Sequence, residues 1–369
     1  MIRWRSINLT RALASVLGAF ALGAVCRGVG AQPPAKLADV QPYLRPVKGT
    51  NGVATLEVAL RRLAPVRGAG PAIWMVAVTH IATTNYYAQL QRFLDAQPLV
   101  LFEAVRTEEG KIPKHREGYS LQADLAHALG LTFQLDEIDY DRPNFRNSDL
   151  NLEQLTRILA ANTNAVSEAG AGEGKPAAGS IEFGALVQAM NGEGLVGGLA
   201  RLGVSVLASS TRLQAATKVA LIEVLGRLPN DMSQIAGLPA GMQRLLRVLV
   251  EERNAAVVRD LRAALAKKPA PKSVGVFYGA GHMADLEFRV CQALGYAPVE
   301  DRWLTAFDVN PRALGISEFE VELTSRLVRM ELQGLERTLS EPSSSESPAA
   351  PKPAADEPTA SPPAKAGRP

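Results

Sequence analysis

Cysteine is nearly absent from this chain: Cys26 and Cys291 are the only two in 369 residues. A disulfide framework is therefore excluded, and because Cys26 falls within the leader segment, the mature chain has no pair to join. Histidine is scarce too, so a site that needs imidazole must draw on His80, His115, His127 or His282. No His-Glu-x-x-His run occurs, which excludes the common helix-borne zinc protease site. The apolar run at 12–25 falls short of the roughly 20 residues that a spanning helix needs, so no permanent membrane span is expected in the mature chain. A surplus of one charge is also missing. The net charge is +3, but Arg3, Arg5, Arg11 and Arg27 lie in the first 31 residues, where there is no acid, and without that segment the net charge is −1. Such a body lacks the positive field by which proteins hold nucleic acid, so no nucleic-acid partner is expected.

What is present is ordinary globular material, 47% hydrophobic and 21% charged. That balance excludes a collagen-like, coiled-coil or wholly disordered chain, and the length suggests about two domains. Residues 1–31 have the layout of a signal peptide: arginines first, then an apolar stretch, then Val29-Gly30-Ala31 as small residues before a cleavage point. The expected destination is the periplasm or the extracellular space. Val25 and Arg27 flank Cys26 and argue against a lipid-anchor reading. At the other end, residues 340–369 are rich in Pro, Ala and Ser with almost no large apolar side chain, and such a segment cannot offset the entropy of ordering.

Between these ends the pattern changes twice. In 32–149 short apolar runs alternate with amphipathic stretches: 56–63 and 86–96 read as helix, 72–79 (AIWMVAVT) and 99–104 (LVLFEA) as strand. In 150–268 strand-like runs vanish and helical spacing dominates, as in 242–265. From 269 to 339 the alternation returns, with 274–278 (VGVFY) as strand and 283–294 as helix, closed by Gly295 as a C-cap. The expectation is an α/β fold. A mainly parallel central sheet is flanked by helices, and a helical insertion interrupts the chain at 150–268.

Three of these strands deliver a polar residue at or just past their ends: His80 after 72–79, Glu103 after 99–102, and His282 after 274–278 through Gly279-Ala280-Gly281. Open α/β sheets bind ligands beyond the carboxyl ends of their strands, so neighbouring strands would bring these three together. Two imidazoles and a carboxylate suit a divalent metal and leave positions open for water or substrate. Gly279 and Gly281 permit a sharp turn and leave space beside the second imidazole. His282 then begins a helix, where the positive dipole end favours a neutral ring.

The segments AVTH at 77–80 and GAGH at 279–282, with Glu103 in VLFE and ERN at 252–254, resemble in order and spacing the TraB/GumN family. That group is allied to the Tiki metalloproteases and more remotely to the haem-binding ChaN lipoproteins. The resemblance covers roughly 72–301, and Ala77 stands where the family has glycine. It implies a metal-dependent, peptidase-like hydrolase acting on a peptide or small-molecule substrate. His80 and His282 would hold a divalent ion such as Zn, Mn or Co, with Glu103 as third ligand or as the base that takes a proton from water. Arg253 and Asn254 would stabilise an oxyanion or bind substrate. Two other readings stay open: a module that captures haem, a metal or a peptide without turnover, and a scaffold whose site has decayed.

The remaining motifs carry less. The run at 170–175 (GAGEGK) resembles a phosphate loop, but Pro176 replaces the Ser/Thr and no strand precedes it, so it reads as a loop. Asp149 reads as a helix cap. His115 and His127 read as exposed, and Cys291 as core packing.

Overall fold

The computed structural model describes residues 32–104, 121–151, 153–155, 157–158, 203–227, 230, 240–327 and 330, with the backbone alone for 240–249. The leader 1–31, His115, the loop at 170–179 and the tail 340–369 lie outside the described residues.

The strands are β1 (Leu44–Lys48), β2 (Ala54–Pro65), β3 (Ala72–Val78), β4 (Ile81–Ala82), β5 (Val100–Phe102), β6 (Thr132–Phe133), β7 (Phe145–Asn147), β8 (Ser273–Gly279) and β9 (Tyr296–Val309). The helices are α1 (Thr84–Asp95), α2 (Leu121–Ala128), α3 (Gln134–Glu137), α4 (Thr211–Leu225), α5 (Ala240–Leu265) and α6 (Ala280–Leu294). Seven of the strands form one sheet, in which β3, β8, β5 and β7 run parallel in that order. β2 joins this block antiparallel to β3, with β1 and β9 also antiparallel to it. The sheet is thus mixed, mostly parallel through its centre with an antiparallel edge, and helices flank it.

Why β3 and β8 lie at the centre follows from composition. Ile73, Met75, Val76, Ala77, Val274, Val276 and Phe277 are all buried, and a strand covered on both faces must be apolar at successive positions. Against these strands packs α6, which in turn carries α5, while α4 covers β1 and β2. The hydrophobic stripe of α6, Met283, Leu286 and Val290, is fully buried, and Gly295 closes the helix in the left-handed conformation at φ 69°.

The expected helix at 56–63 is instead the middle of β2. Leu56, Leu60 and Leu63 recur at helical spacing, but Leu56, Val58 and Leu60 recur equally well at strand spacing. Pairing decides between them. β9 runs along one edge of β2 for its whole length, and β1 followed by β3 occupies the other, so the backbone groups of the strand are satisfied on both sides. One fully buried cation, Arg61, lies on this strand. Its guanidinium bonds Asp301 at 2.7 and 3.0 Å and Glu287 at 2.9 Å, and Tyr43 donates its hydroxyl to the same Glu287 oxygen. This buried network fastens the segment before β1, the edge strands and α6 to one another.

Candidate functional site

Because β8 inserts between β3 and β5, the carboxyl ends of all three strands open on one edge of the sheet. In register, Val78 faces Gly279 and Phe102 faces Phe277. Glu103 continues the ladder by one bond, its amide donating to the Phe277 carbonyl at 3.1 Å. His80 follows β3 by two residues, and His282 is the third residue of α6. The three positions that the strand pattern singles out therefore share one sheet edge.

Glu103 and His282 meet directly, with His282 Nε2 3.5 Å from Glu103 Oε1. The other Glu103 oxygen accepts the Gly279 amide at 2.7 Å, which places a carboxylate on the amino end of α6, where the helix dipole favours negative charge. Gly279 has φ −52° and Gly281 lies inside the first helical turn; neither uses the left-handed backbone. The glycine at 279 serves close approach instead, since a Cβ there would stand 3.2 Å from Glu103 Oε2.

Arg253, from α5, occupies the middle of the cluster. Nε and Nη2 donate to the two oxygens of Asp149 at 2.9 and 2.6 Å, Nη2 also donates to Glu103 Oε1 at 2.7 Å, and Nη1 lies 3.3 Å from His282 Nε2. The Asp149 side chain has no exposure at all. Its expected role as a helix cap belongs to Asn151, whose side chain accepts the Gln154 amide. Asp149, like Gln134 below, belongs to the site without any mark in its local sequence. β7 pairs with β5 and ends at Asn147, and this pairing carries Asp149 to the sheet edge. Tyr278 steadies the turn by donating to the Ser148 carbonyl at 2.5 Å.

Asn254 is fully buried and determines how His282 is protonated. Its Nδ2 donates to the His282 carbonyl and to Asp285 Oδ2, at 3.2 and 2.8 Å, so Oδ1 is the atom facing His282 Nδ1 at 2.8 Å. A carbonyl oxygen cannot donate, hence Nδ1 carries the proton and Nε2 carries the lone pair. The first imidazole is held in the same way. Gln134 donates Nε2 to the Tyr140 hydroxyl at 2.7 Å and presents Oε1 to His80 Nδ1 at 3.0 Å. Gln134 reaches His80 through the small β4–β6 sheet, with its amide donating to the His80 carbonyl. Nothing in local sequence marks this glutamine, because the partnership exists only through strand pairing.

The electrostatics follow from these contacts. Burial would raise the Glu103 carboxyl, but Arg253 above all, with His282, the Gly279 amide and His80, outweighs it and holds the group well below the usual carboxylate range. Burial lowers the His282 imidazole, with Arg253 acting in the same sense and Glu103 against it. The ring is therefore neutral at neutral pH, and the Arg253 guanidinium stays charged.

Among the described residues no group of three His, Cys, Asp or Glu side chains converges tightly enough to hold a metal ion. The two donors that do converge, His282 Nε2 and Glu103 Oε1, both face the guanidinium. As placed, these atoms do not fit an ion and Arg253 together.

Of the other residues read from sequence, His127 is exposed on α2 and Cys291 is buried on α6. Burial first, then Glu287, pushes the Cys291 thiol up to about 12, so no thiolate is available for nucleophilic chemistry. A cavity of about 390 Å³, lined by Pro65, Pro71, Leu265 and Leu294 among others, lies at the opposite end of β3 and β8 from the cluster. No helix among the described residues is long and apolar enough to cross a membrane. Compared with protein-family models, curated proteins and solved structures, the chain has no match in any of the three.

Proposed function

We propose that the chain is an exported, TraB/GumN-like hydrolase whose centre is an acid–base site built on His282, acting on a peptide or another acyl substrate. The observation that carries this reading is the fixed tautomer of His282: Asn254 holds Nδ1–H, the ring is neutral, and the Nε2 lone pair points into the cluster. In the reaction, Nε2 takes a proton from water as the water oxygen attacks the substrate carbonyl. Arg253 meets the charge that develops on the carbonyl oxygen, and His282 then returns the proton to the leaving amine or alcohol as its bond to carbon breaks. The long 3.3 Å contact between Arg253 Nη1 and His282 Nε2 opens to admit the water and the carbonyl. Glu103 and Asp149 hold the guanidinium in place. A carboxyl held so low is a poor base at neutral pH, and Glu103 is here an anchor for charge.

A second reading is supported by the 3.5 Å separation of His282 Nε2 and Glu103 Oε1. These two, with His80, would hold a divalent ion, which when bound polarises a carbonyl and acidifies water.

The test is hydrolysis of a peptide and ester panel by the wild-type protein and by His282→Gln, with and without chelator. Under the first reading turnover falls by roughly 10²-fold or more in the variant, the scale of a lost general base, and chelator changes nothing. Loss of turnover on chelation selects the second reading. Hydrolysis that survives His282→Gln sinks both, and the absence of turnover across the panel favours a binding module.

A further inference from the structure

We propose that the outer face of the last described helix is an interface between two copies of this chain, which pair there antiparallel about a twofold axis near Thr324. The inference is independent of the site at the strand ends.

The helix covers 318–327 and takes in Met330. Ser317 opens it with a capping box: its hydroxyl accepts the Glu320 amide at 3.3 Å, and the Glu320 carboxylate accepts the Ser317 amide at 2.8 Å. The inner face is already used. Ser325 is fully buried and donates to Glu223 of α4 at 3.1 Å, Val321 packs against the core, and Arg212 of α4 pairs with Glu320 at 2.8 Å. These contacts fix how the helix is turned, so its opposite face is held outward.

On that face stand Phe319, Leu323, Leu327 and Met330, three or four residues apart and therefore in one stripe. Phe319 is 74% exposed and Met330 66%, with Leu323 and Leu327 close to half exposed. Large apolar side chains scattered singly over a surface need no partner, but a continuous row on one helix marks a contact surface.

Charge names the occupant. Glu318, Glu320 and Glu322 precede Leu323, whereas Arg326 and Arg329 follow it. A second copy of this helix laid antiparallel sets each acidic half against a basic half, while a parallel copy would set like against like. With the axis near Thr324, Glu322 of one copy meets Arg326 of the other, the two Leu323 side chains lie beside the axis, and Phe319 approaches Met330 of the other copy. Glu322 and Arg326 bond within the helix at 3.0 Å, and an exposed pair of this kind is weak enough to be shared across the interface. A membrane surface suits the face less well, because anionic headgroups would meet three carboxylates.

The test is sedimentation equilibrium of the full chain and its variants. One helix pair is a small interface, so wild type is expected to dimerise with a Kd on the order of 10 µM. Leu323→Glu places two carboxylates together at the axis and should weaken the dimer at least about a hundredfold. Arg326→Glu makes the whole face acidic and should weaken it at least about tenfold, and adding Glu322→Arg to that variant should restore most of the affinity. Circular dichroism checks folding; should Leu323→Glu not fold, Phe319→Ser, at the most exposed position of the stripe, is expected to weaken the dimer at least about tenfold. A wild-type chain that stays monomeric up to about 100 µM overturns the proposal. So does a dimer that the folded Leu323→Glu or Phe319→Ser variant leaves intact, and an undiminished dimer in Arg326→Glu rejects the antiparallel pairing. Co-sedimentation of monomeric wild type with phosphatidylcholine or phosphatidylglycerol vesicles, lost in Leu323→Glu, would assign the face to lipid and overturn it as well. Hydrolysis plays no part in these readouts, so this inference and the acid–base reading can fail separately.

Discussion

Arg253 Nη2 donates to Glu103 Oε1 at 2.7 Å while Nη1 of the same guanidinium lies 3.3 Å from His282 Nε2. One side chain from α5 thereby acts on two residues that arrive from beyond β5 and from α6. It keeps the carboxylate ionised, and it adds to burial, the larger cause, in keeping the imidazole neutral.

This coupling gives stability a definite pH dependence. Glu103 has a folded value below its unfolded one of about 4.3, so its contribution is present above that pH and is lost as the pH falls from there through the folded value. His282 also has a folded value below its unfolded one of about 6.5, so the unfolded state binds that proton first and stability begins to fall as the pH drops below about 6.5. Both slopes have the same sign. Urea unfolding at a series of pH values should show Glu103→Gln losing the more acidic limb while the limb near 6.5 remains. A wild-type stability that is flat from pH 7 to 4 would contradict the assignment.

Asn254→Ala is expected to lower both stability and activity. It strands the His282 Nδ1–H in a buried position and releases the ring to adopt either tautomer; a buried donor without a partner costs about 1–3 kcal/mol. Denaturant midpoints measure the first effect. For the second, the histidine ring ¹⁵N shifts should change from Nδ1–H alone to a mixture, a readout that a loss of packing would leave unmoved.

At Gly279 the backbone is compatible with any residue, so Gly279→Ala isolates the close approach of Glu103. The added Cβ at 3.2 Å pushes the carboxylate by a few tenths of an ångström, at a cost of about 1 kcal/mol. Turnover should fall by more than this stability loss accounts for, because the Arg253 contact moves with the carboxylate. Unchanged kinetics would show that the position of Glu103 is not critical.

The Arg61 network offers a contrast. Arg61→Met leaves Glu287 buried beside Tyr43 without its cation, which should destabilise the fold by about 3–5 kcal/mol. Glu287 lies five residues beyond His282 on α6, but its bonds go to Arg61 and Tyr43, so the pH dependence of whatever activity the folded fraction retains should match wild type. A shifted profile would reveal coupling along the helix.

The runs AIWMVAV and SVGVFYG announce central parallel strands because a strand buried on both faces has to be continuously apolar. His80, Glu103 and His282 stand out because each follows such a run, whereas no local pattern distinguishes Arg253 and Asn254 within α5. β2 reads as a helix from its sequence because leucines at 56, 60 and 63 satisfy both periods. β9, with Pro298 and several charges, carries no strand pattern strong enough to read; it is a strand because it lies along β2. Asp149 sits beside Asn151 in a segment that resembles a helix start, and local pattern had no means of distinguishing a cap from a buried partner of Arg253.

By itself the amino-acid sequence determined the α/β character, the apolar central strands, the helical α5 and α6 with the Gly295 stop, and the placing of two imidazoles and a carboxylate at strand ends. These are local properties, set by side-chain periodicity and by the conformational limits of glycine and proline. Tertiary structure alone decided that β8 lies between β3 and β5, that Asp149 and Gln134 belong to the site, that Asn254 holds the proton of His282 on Nδ1, and that a guanidinium stands between Glu103 and His282. Those are properties of groups brought together across long stretches of chain, 150 residues from Glu103 to Arg253 and 176 from Glu103 to Gly279, and only assembly of the sheet creates the low-dielectric contact through which one charge sets the protonation of another.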